Sequence, residues 1–194
     1  GLIELAKSAE PLEYQPSSFP KVAEVKIAIA KDRAFNFYYE DSLFVLEQMG
    51  AQLVPFSPLE DKPLPEGISG VYIGGGYPEL FSETLSGNER MLASLKEAVA
   101  QGMPVLAECG GYMLLCQGMS DKQGFYVPLA GVVESRCEMT NHLQQFGYIT
   151  LTAQRDNLLC KKGHQYNGHE FHYSESTNNG DGFVAVKPFS GKTW

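Results

Sequence analysis

Cys109 stands where a short apolar run meets two glycines, in Pro104-Val105-Leu106-Ala107-Glu108-Cys109-Gly110-Gly111-Tyr112. A buried strand, a sharp turn of small residues and a following helix form the layout of a nucleophile elbow, with the cysteine at its tip. Glycines after the cysteine permit a strained backbone and let a substrate approach closely. A helix opening at Gly110 aims its positive end at the sulfur and favours thiolate. With an ordinary pKa near ~8.5, only a few per cent of a thiol is ionised at pH 7, so that help matters. The Gly110 N–H would also face the oxyanion formed by attack on a carbonyl. The plainer alternative is a core cysteine ending a strand; the double glycine and the helix weigh against it.

A second glycine run, Gly74-Gly75-Gly76-Tyr77-Pro78-Glu79, follows another short apolar run, Gly70-Val71-Tyr72-Ile73. Loops leaving the carboxyl ends of neighbouring parallel strands share one crevice. The amides of Gly75 or Gly76 would then supply an oxyanion donor opposite Gly110. A phosphate-binding loop is the weaker alternative, since no GxGxxG follows and Pro78 lacks an amide hydrogen. Ser190-Gly191-Lys192-Thr193 ends like a Walker A loop but lacks its first glycine, Val186 standing there. His169-Glu170-Phe171-His172 is one residue short of the i,i+4 spacing of a zinc-protease helix, and it reads as a strand whose histidines point to opposite faces. A structural or substrate-facing role therefore outweighs metal binding for His169 and His172, and no metal site is expected. Cys116, two helical turns beyond Cys109, reads as core.

The elements that position these residues alternate in the first two thirds of the chain. Residues 2–7 suit a short helix and 10–20 a linker. Strands are expected at Val25–Ala30, Leu53–Phe56, Gly70–Ile73 and Val105–Ala107. Helices are expected over Asp41–Met49, after Ser86, and over Tyr112–Gln117. Ser86 and Glu89 have capping-box spacing, and Met91, Leu92, Leu95, Ala98 and Val99 form one apolar stripe at helical period. Gly50 and Gly102 follow helices as stop signals. This alternation implies an α/β fold with a mostly parallel sheet and helices on both faces. Beyond Gly131 the pattern turns strand-rich, with strands at Gly131–Glu134, Gly147–Thr152, Glu170–Tyr173 and Phe183–Val186.

Composition narrows the partners. The 194 residues carry a formal net charge of −8, which argues against nucleic acid or an anionic membrane as a main partner. No apolar run approaches the ~18 residues needed to span a bilayer, and Gly1–Lys7 lacks the layout of a signal peptide. Cys109, Cys116, Cys137 and Cys160 fall in no CxxC pair and no zinc spacing, so reduced thiols and a cytoplasmic location are expected.

Four segments together resemble one family, the C-terminal domain of cobyrinate a,c-diamide synthases and their cobyric acid synthase relatives. They are Ile27-Ala28-Ile29-Ala30-Lys31-Asp32 with Ala34-Phe35-Asn36-Phe37-Tyr38-Tyr39, Gly74 to Leu80, Ala107 to Met113, and Gly168-His169-Glu170-Phe171-His172-Tyr173-Ser174. The resemblance runs from about Lys21 to Phe183. It implies a flavodoxin-like class I glutamine amidotransferase fold in residues 21–194. It also implies a carbon–nitrogen ligase of cobalamin biosynthesis, in which this domain hydrolyses glutamine through a Cys109 thioester. Gly110 and the triple-glycine loop would hold the oxyanion. A preceding synthetase domain, to which residues 1–20 would connect, would use ATP and Mg to activate the a and c carboxylates of a corrinoid acid. No cofactor is expected in this chain itself. Hydrogenobyrinate or a nickel tetrapyrrole as acceptor, a catalytically silent amidotransferase-like binding module, and a cysteine peptidase of the same fold group are the alternatives; oligomerisation stays open. The family's activating histidine lies in a Ser-Tyr-x-His-x-His-Phe-like stretch near its C-terminus. None of His142, His164, His169 or His172 matches that stretch. The expectation is thus a domain short of its C-terminal end and poorly active alone, with His169 or His172 as the substitute base to be tested.

Overall fold

The computed structural model describes residues 1–11, 13–15 and 17–194. The expected linker includes positions 12 and 16, which lie outside the described residues. In chain order the elements are α1 (Leu2–Lys7), β1 (Val25–Ala30), β2 (Phe35–Phe37), α2 (Glu40–Gln48), β3 (Ala51–Phe56), β4 (Gly70–Ile73) and β5 (Gly75–Gly76). A 3-10 turn over Pro78–Phe81 leads into α3 (Ser82–Gly87), α4 (Glu89–Ala100), β6 (Val105–Ala107) and α5 (Gly110–Leu115). The remainder is β7 (Cys116–Ser120), β8 (Tyr126–Pro128), β9 (Val133–Met139), β10 (Gln145–Ala153), β11 (Gln165–His172), β12 (Ser174–Ser176) and β13 (Phe183–Val186).

The alternating part forms a four-stranded parallel sheet in the order β3-β1-β4-β6, flanked by helices. β1 lies in its middle, and Ala28, Ile29 and Ala30 are buried, as a run covered on both faces requires. The chain moves from β1 outward to β3, then crosses back past β1 to β4 and β6. The order therefore reverses between β1 and β4, which is where an open α/β sheet leaves a crevice at its strand ends. The segments leaving β1, β4 and β6 at that end carry residues 31–38, 74–78 and 108–109.

Two further sheets form the strand-rich part. One is mixed, β12-β9-β7-β8, with β7 parallel to β9. The other is the antiparallel set β11-β10-β13. Helix α5 packs against β4 and β6 on one side and β7 and β9 on the other. A single apolar cluster accordingly runs from Ala28 and Ile73 through Leu114 to Met119 and Cys137.

Three local expectations are corrected. Ser86 lies inside α3, so it caps nothing; Asn88 precedes α4 and makes no side-chain cap bond. The start of α4 is held from a distance instead. Asp61 accepts the Arg90 N–H at 2.8 Å, while the Asn88 side chain donates to Pro58 O at 2.8 Å. The helix after Cys109 spans Gly110–Leu115 and not Tyr112–Gln117, and Cys116 is extended at φ −65°, ψ 168° and opens β7. Cys116 is buried core, but in a strand. Strands β9, β10 and β11 are longer than expected, while β13 spans Phe183–Val186 as expected, and Tyr173 falls between β11 and β12.

The apolar stripe of α4 does face the core, with Met91, Leu95 and Ala98 buried. Leu95 is fully buried, so Leu95→Ala is expected to cost about 2–5 kcal/mol. Denaturant unfolding measures this; a loss under ~1 kcal/mol would mean that the α4 stripe does not carry the core.

Candidate active site

The turn at Cys109 is built from backbone bonds to β4. Glu108 N–H donates to Ile73 O at 2.9 Å, and Gly111 N–H donates to Gly74 O at 3.1 Å and Glu108 O at 2.8 Å. Between these ties Cys109 sits at φ 51°, ψ −109°. It is the one non-glycine with positive φ among the described residues. Such a conformation costs ~1–3 kcal/mol and persists only where surrounding structure enforces it. The enforcement is steric as well as hydrogen-bonded. A Cβ on Gly111 would lie 2.2 Å from Ile73 O, and one on Gly76 would lie 1.9 Å from Ala34 O. Only glycine lets these three backbones approach.

The result is convergence on the sulfur. The backbone amides of Gly110 and Gly76 both favour the thiolate form of Cys109. The place where a Gly110 Cβ would stand is 3.2 Å from Gly76 N, and that for Gly75 is 3.5 Å from Cys109 Cβ. Gly75 thus packs beside Cys109, while Gly76 and Gly110 present their N–H groups. Gly75 and Gly76 are themselves held by pairing with Phe37 and Phe35 of β2.

Electrostatically, the Gly110 amide favours thiolate as expected, but burial outweighs it. Cys109 is reached by solvent, yet protein crowds the sulfur on its loop side. Burial pushes its pKa above the ordinary thiol range; the Gly110 amide opposes this, Glu79 adds to it, the Gly76 amide opposes, and Glu108 adds a little more. The six-residue helix α5 supplies an amide but little macrodipole, so desolvation wins. Burial likewise raises the Glu79 carboxyl. Tyr72 donates to Glu108 Oε2 at 2.5 Å, and its own pKa is raised by burial and then by that bond.

The two histidines of the fourth motif lie on β11, whose residues alternate in exposure. His169 is on the exposed face, edge-on to Phe146 and Tyr148 at 5.7 and 5.4 Å between ring centroids. His172 is half-buried, with Nδ1 2.8 Å from Ser174 O. A carbonyl only accepts, so Nδ1 is the donor in this bond. A cavity of about 810 Å³ is lined by Cys109, Tyr112, His169, His172 and Trp194 among others. No imidazole hydrogen-bonds the Cys109 sulfur among the described residues. No group of three metal-ligating side chains is present among the described residues. No helix among them is long and apolar enough to cross a membrane.

Sequence reasoning missed Tyr38, Tyr72, Glu79 and Glu108 as neighbours of the site. Glu79 and Glu108 sat inside quoted motifs, and their closeness to a glycine loop or to the cysteine was a usable signal. Tyr38 and Tyr72 also sat inside quoted segments, but nothing local signals what their hydroxyls bond, because those partners are 36 residues away.

The fold, a parallel sheet flanked by helices, has solved counterparts. The chain is similar to PurLQS from Thermotoga maritima (TM-score 0.55, 13% identity, covering 88% of this chain and 78% of that one). It is also similar to a protein from Thermoplasma acidophilum described as a GMP synthase component (TM-score 0.50, 16% identity, 88% and 82% covered). These likenesses speak to the fold alone. Residues 26–192 match the model of the CobB/CobQ-like glutamine amidotransferase domain, and the chain belongs to that family, as the amidotransferase domain of a cobyrinate a,c-diamide synthase family protein. The cobyrinate a,c-diamide synthase of Caldanaerobacter subterraneus subsp. tengcongensis is 51% identical over 176 residues, covering 90% of this chain and 39% of that one. That of Dehalococcoides mccartyi strain CBDB1 is 40% identical over 179 residues, with 90% and 39% covered. That of Picrophilus torridus is 41% identical over 184 residues, with 94% and 41% covered. The chain thus spans about two fifths of the length of these relatives.

The electrostatic balance at Cys109 can be measured. Glu79→Gln removes a negative charge that disfavours thiolate, so the pH midpoint of Cys109 alkylation by iodoacetamide is expected to move lower. A midpoint that stays or rises would show that Glu79 does not act on the sulfur.

Proposed function

We propose that this domain hydrolyses glutamine with Cys109 as nucleophile. The position of Cys109 on a strained strand-to-helix turn, with the Gly75–Gly76 backbone packed against Cys109 and Gly110, is the observation that carries the reading. The thiolate would add to the glutamine carboxamide carbon. The resulting oxyanion would then accept hydrogen bonds from the Gly110 and Gly76 amides, each such donor stabilising the transition state by ~3–4 kcal/mol. Collapse would release ammonia, with a proton, and leave a γ-glutamyl thioester on Cys109. Water would cleave that thioester to glutamate and restore the thiol.

In the whole protein the ammonia would amidate the a and c carboxylates of cobyrinate, activated with ATP and Mg in a synthetase domain outside this chain. The names and greater length of the relatives support that assignment. A cytoplasmic setting suits such chemistry.

The proton on the sulfur needs an acceptor. His172 shares the cavity with Cys109 but is not bonded to the sulfur. The raised thiol pKa and the lack of a bonded imidazole also favour a second reading, a silent amidotransferase-like module. Two measurements separate the readings. A glutamine-analogue electrophile is expected to label Cys109 ahead of Cys116, Cys137 and Cys160, and labelling mainly elsewhere in folded protein would remove Cys109 from the mechanism. Because positioned base catalysis contributes ~10²–10⁴-fold, glutamine turnover by the 194-residue chain is expected to fall short of a chain of its relatives' length by about that factor. Absence of both labelling and turnover in the longer chain would establish the silent module. Full turnover by the shorter chain, lost in His172→Ala, would make His172 the base.

A further inference from the structure

The site holds a hydroxyl that the proposed mechanism does not use. The β1–β4 ladder pairs Ile27, Ala28 and Ile29 with Gly70, Val71 and Tyr72. Val71 N–H donates to Pro104 O, away from β1, and Lys31 N–H donates to Phe56 O, away from β4. Alternation along a parallel ladder then turns the amides of Tyr72 and Gly74 toward β1. The next rung would be Gly74 N–H to Ala30 O. In its place stands the Tyr38 hydroxyl, which accepts the Gly74 N–H at 2.9 Å and donates to Ala30 O.

We propose that Tyr38 is a positioning residue, whose hydroxyl replaces one rung of the ladder and thereby aims the Gly76 amide at the Cys109 sulfur. As a role in catalysis this rests on the glutaminase reading above. A direct Gly74–Ala30 rung would carry β4 straight on as strand. With one oxygen inserted, β4 and β1 part, and the chain after Gly74 turns to pair with β2 through Gly75 and Gly76. The Tyr38 ring fills the gap: a Cβ on Gly74 would lie 2.6 Å from its Cε1, and its edge meets Tyr72 at 5.2 Å between centroids. Gly74 also accepts from Gly111 N–H at 3.1 Å, so one residue ties the hydroxyl to the start of α5. Burial pushes the Tyr38 pKa up to about 12, so the hydroxyl keeps its proton and its donor role through the neutral range.

Tyr38→Phe removes the oxygen and keeps the ring. With the Gly76 amide misaligned, thiolate loses one stabilising bond. Iodoacetamide is then expected to alkylate Cys109 about 3- to 10-fold more slowly at pH 7, roughly the effect of weakening one hydrogen bond to a charged group. The pH midpoint should move higher. Tyr39→Phe, at an exposed neighbour, should leave both unchanged. In a chain of the relatives' length, kcat for glutamine should fall about 10- to 100-fold, less than outright loss of an oxyanion donor, with KM little changed. A folded Tyr38→Phe protein with wild-type midpoint and kcat would overturn the proposal. If that variant does not fold, amide exchange in the wild type decides: a protected Gly74 N–H supports the rung, and loop-like exchange overturns it. Failure of a glutamine analogue to label wild-type Cys109 would instead defeat the glutaminase reading, leaving the midpoint shift to stand or fall alone.

Discussion

Three backbones meet around Cys109 at distances that leave no room for side chains, and the site depends on that close approach. The segment after β1 lies against Gly76, the end of β4 lies against Gly111, and Gly110 lies against the Gly76 amide. Cys109 is a non-glycine residue at φ 51° because its neighbours on both sides are tied to Ile73 and Gly74 of the same strand end. Relaxing the turn would break those ties, so the strain is held by bonds that the fold makes anyway. The same ties bring the Gly76 and Gly110 backbones together beside the cysteine. Alanine at position 76 or 111 would therefore disturb geometry and packing together.

The electrostatics run against the simplest view of an activated thiol. Two amides favour thiolate, but burial and two nearby carboxyls favour thiol, and the balance lies on the side of the thiol. Hydrogen bonds to sulfur are short-range and local, whereas desolvation acts through every atom packed around it. A resting site of this kind keeps its proton. Because oxidation follows thiolate character and exposure, such a cysteine resists adventitious chemistry. In the proposed reaction it becomes nucleophilic only when a proton acceptor and a carbonyl arrive together.

Much of this was legible in the sequence where the governing physics is local. β1 and β4 are short apolar runs, and the α4 stripe of Met91, Leu95 and Ala98 has a helical period. The cysteine and glycine motifs gave both loops, because a sharp turn with close backbone approach demands small residues in sequence. What failed was set at a distance. The α4 cap is supplied by Asp61, 29 residues from Arg90, so a local capping box was the wrong place to look. The end of α5 was misplaced because Leu114, Leu115 and Cys116 are all buried, and an apolar run buried throughout has no period to distinguish helix from strand. The help from the Gly110 amide was visible locally, while the burial that outweighs it was not. Tyr38 lies in a segment that carries the resemblance, but its bonds to Gly74 and Ala30 depend on the register of β1 on β4 and could not be read locally.

The crevice has a second wall, and its stiffness bears on how a base can reach the sulfur. Tyr112, three residues after Cys109, bonds Ser176 Oγ at 2.7 Å and donates to Asn178 O at 3.1 Å. Ser176 in turn bonds buried Ser135 of β9 at 2.7 Å, and Ser135 Oγ accepts Asn178 N–H at 3.1 Å. These bonds fasten β12 to α5, the helix that begins at the elbow. His172 is fixed to the same wall through Ser174 O, two residues before Ser176. The imidazole and the sulfur are thus both referred to the first turn of one helix, and not to independently moving parts. A hydrogen bond that is not made in this arrangement would need the wall to shift as a unit or an acceptor from elsewhere. Network bonds of this kind reinforce one another in a low-dielectric interior, which makes the unit shift the costlier route and an acceptor brought in from outside this wall the more economical one.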